Sequence, residues 1–243
     1  ALAHALVAKN SRLIISARNE AALQAIKTNY PSALIEVLPF DLLDFDTTPA
    51  IVAKAISFYG KVDVLVNNGG ISQRSLIAET DFAVDKKIMD VDYFGTIALT
   101  KALLPHFIQN QSGHYVTVTS LMGKFGSPYR SGYCAAKHAL HGYFDVMRME
   151  HEKDGVAVTL VCPGFVQTNV AINALTADGS PQIKNSETTA NGMLLADFIP
   201  KMVRAMEQKK FEVYIGKKEV LGIYLKRFLP KYLHKVVLKS KVN

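Results

Sequence analysis

Apolar positions along this chain fall into two alternating patterns, short near-continuous runs and longer stretches with helical spacing. The short runs are Arg12 to Ala17 (RLIISA), Leu34 to Phe40, Val62 to Val66 (VDVLV), Tyr115 to Val118, Val156 to Cys162 and Phe211 to Ile215 (FEVYI). Between them, helical pattern covers Ala1 to Lys9, Asn19 to Asn29, a long zone from Phe82 to Gln109, and Gly132 to Lys153. A further helix opens at Thr47-Thr48-Pro49, where proline suits the first turn because its missing N–H would have no helical acceptor. Strands alternating with helices predict βαβ units and a mainly parallel sheet with helices on both faces. The strands are continuous apolar runs, as a sheet covered on both faces requires.

No stretch has the composition of an interdomain linker, so one α/β domain over residues 1–243 is expected, a doubly wound parallel sheet. Residues 168–200 are rich in Asn, Thr, Asp, Gly and Ser. They read as a substrate-loop region over a site, with a plain surface loop as the alternative. Cys134 and Cys162 are too few for a disulfide framework or a metal site; buried thiols in a reducing compartment are expected. No run approaches the ~18 apolar residues of a membrane span, and no signal peptide is visible, so a cytoplasmic protein is expected.

The net charge of +7 is unevenly distributed. Residues 209–243 hold ten Lys/Arg and two acids, leaving 18 basic and 19 acidic residues in 1–208. The basic character therefore belongs to the tail, and nucleic-acid binding has little support. Within the basic C-terminal extension 217–243, Leu221, Tyr224, Leu225, Phe228 and Leu229 fall at helical spacing. Pro230 interrupts the run, and Leu233, Val236 and Val237 restart it. Such a basic amphipathic segment can lie on an anionic membrane, a contact better suited to the part past Pro230. The alternative is that its apolar stripe packs on the body, beside a pocket or a partner subunit, with the lysines simply solvated.

The candidate chemistry centres on residues 118–137, VTSLMGKFGSPYRSGYCAAK. Tyr133 and Lys137 stand at i and i+4 at the start of a helix, so their side chains share a face. Ser120 sits at the mouth of the preceding strand, where open α/β sheets hold their ligands. An ammonium beside a phenol favours the phenolate by Coulomb attraction, and a serine hydroxyl can hydrogen-bond a carbonyl or carbinol oxygen as its charge develops. Proton transfer at such an oxygen is the chemistry this set allows. Asn67-Asn68-Gly69-Gly70 follows another strand, where glycines permit close backbone approach by a ligand. Pro163-Gly164 makes a second tight exit, Asp41 ends a third strand, and Ser16-Ala17-Arg18 ends the one before it. An arginine there suits a ribose 2′-phosphate, whereas a carboxylate favours a 2′-hydroxyl.

Taken together, NNGG (67–70), Ser120 with Tyr133-x-x-x-Lys137, PGFVQT (163–168), Asp41 and the order of elements resemble the short-chain dehydrogenase/reductase family, specifically its member 7-like branch, over essentially the whole chain. The resemblance implies a Rossmann-like fold and an NADP(H)-dependent oxidoreductase, NADP(H) preferred over NAD(H), interconverting an alcohol and a ketone or aldehyde. By resemblance Tyr133 is the general acid/base, Lys137 supports it and binds nicotinamide ribose hydroxyls, and Ser120 orients the substrate oxygen. Val166 and Thr168 meet the nicotinamide carboxamide, Asp41 and Leu42 flank adenine, and Asn67 supports the cofactor edge. Arg18, Asn68, Gly69 and Pro163 complete the implied cofactor set. Pairing through the two long helices into a homodimer or homotetramer is also implied.

Two departures stand out. The first strand and the glycine-rich turn that would cradle a pyrophosphate are missing from these residues, which start inside the first helix. The family's catalytic asparagine falls at Asp92 in MDVDYFGT, which keeps an acceptor, loses the amide donor and adds charge near Lys137. Both departures support a rival reading, a catalytically silent scaffold or binding protein; the intact Ser120, Tyr133 and Lys137 set argues against it. The substrate itself is not legible, although 169–200, Ser72, Gln73 and Leu121 are expected to shape its pocket.

Overall fold

The computed structural model describes residues 1–183 and 187–240. Its core is a four-stranded, all-parallel sheet of β3 (Val64–Asn67), β4 (Gly113–Val118), β5 (Val156–Pro163) and β6 (Glu212–Ile215), in that order. A separate parallel pair joins β1 (Leu13–Ile15) to β2 (Ile35–Val37). The helices are α1 (Leu2–Val7), α2 (Glu20–Thr28), α3 (Thr48–Tyr59), α4 (Phe82–Met89), α5 (Thr96–Gln109), α6 (Ser131–His151), α7 (Glu187–Ala190), α8 (Leu195–Glu207), α9 (Leu221–Phe228) and α10 (Pro230–Lys239). A π-helical turn, Asp90–Gly95, joins α4 to α5, so the long helical zone expected from Phe82 to Gln109 is one interrupted helix.

Alternation along the central strands sends side chains to two helical layers. Tyr115, Val158 and Leu160 pack with Leu103 and Phe107 of α5 and Leu140 and Phe144 of α6. Val116 and Val161 point to the other face, against Phe198, Ile199, Met202 and Val203 of α8. The ring of Phe107 lies so close to β4 that a Cβ on Gly113 would stand 2.1 Å from it. Only glycine fits there.

The strand ends differ from the sequence expectations in a physically readable way. Val62 is not in β3, because its N–H donates to His106 Nε2 at 3.2 Å instead of to a strand. Asn67 belongs to β3 rather than to the turn, in register with Thr117. Its buried amide donates to Thr100 Oγ1 at 3.1 Å and Thr117 Oγ1 at 3.3 Å, bracing the strand end against α5.

Beyond β6 the chain folds back over the carboxyl edge of the sheet. Pro230 ends one helix and opens the next: α9 stops at Phe228 and Pro230 is the first residue of α10. Leu233 is 5% exposed and packs with Leu121, Phe125 and Cys162, with Val237 beside them. Of the apolar positions past Pro230, Leu233 and Val237 therefore face the body, whereas Val236 is 39% and Leu238 63% exposed. At Gly222 of α9 a Cβ would stand 2.7 Å from the Phe125 ring, so glycine lets the helix lie directly on that loop.

Candidate active site

The parallel register brings the carboxyl ends of the strands to one edge, and the predicted residues gather along it. Ser120 follows β4 and is 8% exposed. Its Oγ accepts the Met122 N–H at 3.1 Å, which leaves the hydroxyl proton available to a ligand. Tyr133 lies in the first turn of α6 and is half-buried. That turn is anchored by Gln73, whose Oε1 accepts the Gly132 N–H at 2.8 Å while its amide donates to Ser75, Thr80 and Ser131. Gln73 was expected at the pocket. It is a fully buried brace instead.

Lys137 stands one turn after Tyr133, with Nζ 5.6 Å from the phenol ring centroid. The same Nζ is 3.1 Å from Asp92 Oδ2, a pair in which both side chains are almost fully buried. Asp92 sits in the π turn, and its Oδ1 accepts the Ile71 N–H at 2.7 Å. Burial drives the Asp92 carboxyl above its usual range, opposed by the ammonium and by the Ile71 N–H. For Lys137, burial alone would lower the ammonium, but the Asp92 carboxylate and Tyr133 outweigh it and hold it above the ordinary value. The lysine is therefore kept charged.

Ser120 and Tyr133 open onto a cavity of about 590 Å3 that is also lined by Pro163, Val166 and Val170. Ser72 and Leu121 line it as expected, whereas Thr168 lies outside the lining, its hydroxyl accepting the Val170 N–H at 3.4 Å. Thr189, within the expected loop region, also contributes; residues 184–186 of that region lie outside the described residues. The opposite wall is α9 and α10, with Leu225, Leu233 and Val237.

The remaining candidates lie further along the edge. Arg18 and Asp41 follow β1 and β2, with Arg18 Nη1 3.8 Å from Asp41 Oδ2 and the arginine side chain 70% exposed. Leu42 packs against Gly69 and Gly95; a Cβ on either glycine would come within 2.7 Å of a Leu42 atom. Asn68, Gly69 and Gly70 are exposed at the end of β3.

Two cavity residues escaped the sequence reading. Arg74 Nη1 donates to Ser72 Oγ at 3.0 Å and to the Gln73 carbonyl at 2.7 Å, and Arg130 Nη1 donates to Ser127 Oγ at 2.9 Å. Burial, with the neighbouring Arg130 charge, lowers Arg74 to about 10. No spacing marks either arginine. Behind the cavity, His141, Cys162 and Glu212 bring three potential metal-ligating atoms within 4.8 Å of one another. Glu212 Oε1 is already occupied by Lys124 Nζ at 2.7 Å and by the Cys162 thiol at 3.3 Å. Burial and the Lys124 charge bring His141 down to about 4, so the cluster reads as a neutral imidazole and thiol around one ion pair.

The sequence profile described as short chain dehydrogenase matches residues 1–178. The chain belongs to the short-chain dehydrogenase/reductase family. It is 35% identical to the dehydrogenase/reductase SDR family protein 7-like of Drosophila melanogaster over 249 residues, covering 100% of this chain and 76% of the relative. A solved short-chain dehydrogenase from Streptomyces avermitilis superposes with a TM-score of 0.76 at 25% identity, covering 97% of this chain and 88% of that one. A structure of ElxO with NADPH bound superposes with a TM-score of 0.65 at 27% identity, over 68% of each chain. Family membership makes the chain an oxidoreductase of this class, with helices around a parallel Rossmann-type sheet.

Proposed function

We propose that the protein interconverts an alcohol and a ketone or aldehyde, with NADP(H) preferred as cofactor. The observation that carries this reading is that Ser120 and Tyr133 share one cavity wall while the charged Lys137 lies directly behind the phenol. Nicotinamide use is supported by the NADPH bound to the ElxO relative. The edge fits such a group: a Cβ on Gly70 would fill the space 3.2 Å from both Lys137 Nζ and the Asp92 carboxylate. When bound, the cofactor supplies or accepts the hydride.

This chain's own residues handle the proton. In reduction, Tyr133 Oη donates its proton to the carbonyl oxygen, which becomes the new hydroxyl. The resulting phenolate is stabilised by the Lys137 ammonium and regains a proton from solvent. Ser120 donates a hydrogen bond to the same oxygen, where charge develops. Asp92 keeps Lys137 protonated and fixed. Pro163, Val166 and Thr168 would hold the nicotinamide end of the cofactor, and Asn68, Gly69, Asp41 and Leu42 the rest of it. Screening carbonyl compounds for NADPH oxidation, with a Tyr133 variant as control, tests the reading. Failure of every carbonyl to turn over would leave the binding-protein alternative.

Arg18 carries the cofactor preference. Its exposed guanidinium can bind a 2′-phosphate bidentately, and a charge-assisted hydrogen bond contributes roughly 1.5–3 kcal/mol. NADPH is expected to bind at least about tenfold more tightly than NADH, since 1.4 kcal/mol is a factor of ten, and Arg18→Ala should erase the difference. Coincident titration curves for the two cofactors in the unaltered protein would overturn the assignment.

Asp92→Asn is expected to preserve or raise turnover near neutral pH, because the amide oxygen still accepts from Ile71 and the donor is restored. The sign at high pH follows from the pair. Without the carboxylate the Lys137 ammonium is less favoured, so the alkaline limb of the pH–rate profile should move to lower pH. A loss of more than about tenfold at neutral pH, or 1.4 kcal/mol of barrier, would mean that this protein needs the carboxylate itself.

Assembly as a homodimer or homotetramer through the long helices belongs to the same reading. Phe82, Phe94, Val146 and Met149, all on or between those helices, are 45–81% exposed, as unpaired interface residues would be.

A further inference from the structure

Helices α9 and α10 close one side of the cavity with only part of their apolar surface. Ile223 and Leu225 of α9 and Leu233 and Val237 of α10 pack toward Leu121 and Phe125. On the outside, Leu221, Tyr224 and Phe228 stand at i, i+3 and i+7 and are 61%, 54% and 74% exposed. Leu229 and Leu238 continue this surface at 56% and 63%. Leu221 and Tyr224, with Tyr232 and Val236 of α10, also line the cavity although each is more than a third exposed. The same apolar side chains thus contribute both to the cavity and to the exposed surface of the helices.

The charges on this surface are of one sign. From Leu221 to Ser240 there are five Lys/Arg and no acidic residue. Among the described residues, none of Lys226, Arg227, Lys231, Lys235 and Lys239 has an ion-pair partner. Exposed apolar side chains ringed by unpaired cations match an anionic bilayer, where apolar groups enter the acyl boundary and lysines meet the headgroups. A second copy docked here would bring five cations against five. A protein partner would cover side chains that also line the cavity.

We propose that the outer face of α9 and α10 seats on an anionic lipid bilayer, so that an apolar carbonyl or alcohol substrate enters the cavity directly from the lipid. The substrate half of this proposal rests on the oxidoreductase reading; the lipid contact does not. Co-sedimentation of the intact chain with phosphatidylcholine vesicles, and with vesicles also containing phosphatidylserine, reads the contact without any turnover. The protein should pellet with the phosphatidylserine vesicles at low salt and be released by high salt. Two variants outside the cavity lining, Phe228→Ser with Leu229→Ser and Lys231→Glu with Lys235→Glu and Lys239→Glu, should each weaken partitioning at least tenfold at unchanged melting temperature. If one variant does not fold, the other decides.

No pelleting at low salt, or pelleting unaffected by a folded variant, overturns the proposal. So does light scattering in which the Phe228 and Leu229 double variant dissociates a dimer, since a second copy would then own the face. With phosphatidylserine vesicles present, turnover of a long-chain ketone should fall at least tenfold in both variants while a short water-soluble ketone is turned over normally; equal losses for both ketones would overturn lipid entry. Vesicle binding without turnover of any carbonyl would instead sink the oxidoreductase reading and leave the lipid contact standing.

Discussion

Replacing Tyr133 by phenylalanine is expected to lower turnover by about 10²- to 10⁴-fold, the range a positioned acid/base contributes. The effect should fall on kcat and leave cofactor affinity nearly unchanged. The physical reason is that the substitution keeps the ring that lines the cavity while removing the one atom that exchanges a proton with the substrate oxygen. Single-turnover reduction and a cofactor titration on the same preparation separate the two quantities. A phenylalanine variant with wild-type kcat would remove Tyr133 from the mechanism, and with it the proposed reaction.

Lys137→Ala should act on stability as well as on turnover. Its ammonium is the counter-charge for Asp92, which is 0% exposed. Removing one partner of a buried pair typically costs about 3–5 kcal/mol, because the other charge stays buried without compensation. The stranded carboxyl should then be raised further, since burial already pushes it up and the ammonium was the principal force opposing that. A carboxyl whose folded value lies above its unfolded one favours the folded state below the unfolded value and loses that contribution as pH rises through the folded one. The instability of Lys137→Ala should therefore be largest near neutral pH and shrink on acidification. Adding Asp92→Asn to Lys137→Ala should restore much of the stability and none of the turnover. Denaturant melts at two pH values check the first expectation, and a double variant as unstable as the single one would show that the pair is not what holds this region.

Much of the fold was legible because it depends on local pattern. Continuous apolar runs separated by helical spacing predicted the parallel sheet, and the central strands and α6 fall close to where that pattern placed them. The strand ends were less legible, because a ladder extends only as far as its neighbour does. Val62 donates to His106, a residue 44 positions away that no local window contains. Ser120, Tyr133 and Lys137 could be read as a set because helical spacing and the end of one strand join them.

The amino-acid sequence by itself determined the alternation of strands and helices, the shared face of Tyr133 and Lys137, the breaking of the tail at Pro230 and its basic amphipathic character. All of these follow from neighbours within a turn or two of chain. Only the tertiary structure decided what those features meet. It turned Gln73 from a pocket residue into the anchor of α6, brought Arg74 and Arg130 to the cavity, and joined Asp92 to Lys137 across 45 residues of sequence. It also folded α9 and α10 over the carboxyl edge of the sheet, with Gly222 against Phe125 and Leu233 in the core. Amphipathic spacing tells a helix that it must bury one face. Which surface receives that face depends on long-range packing, and here that packing makes the tail a wall of the candidate active site.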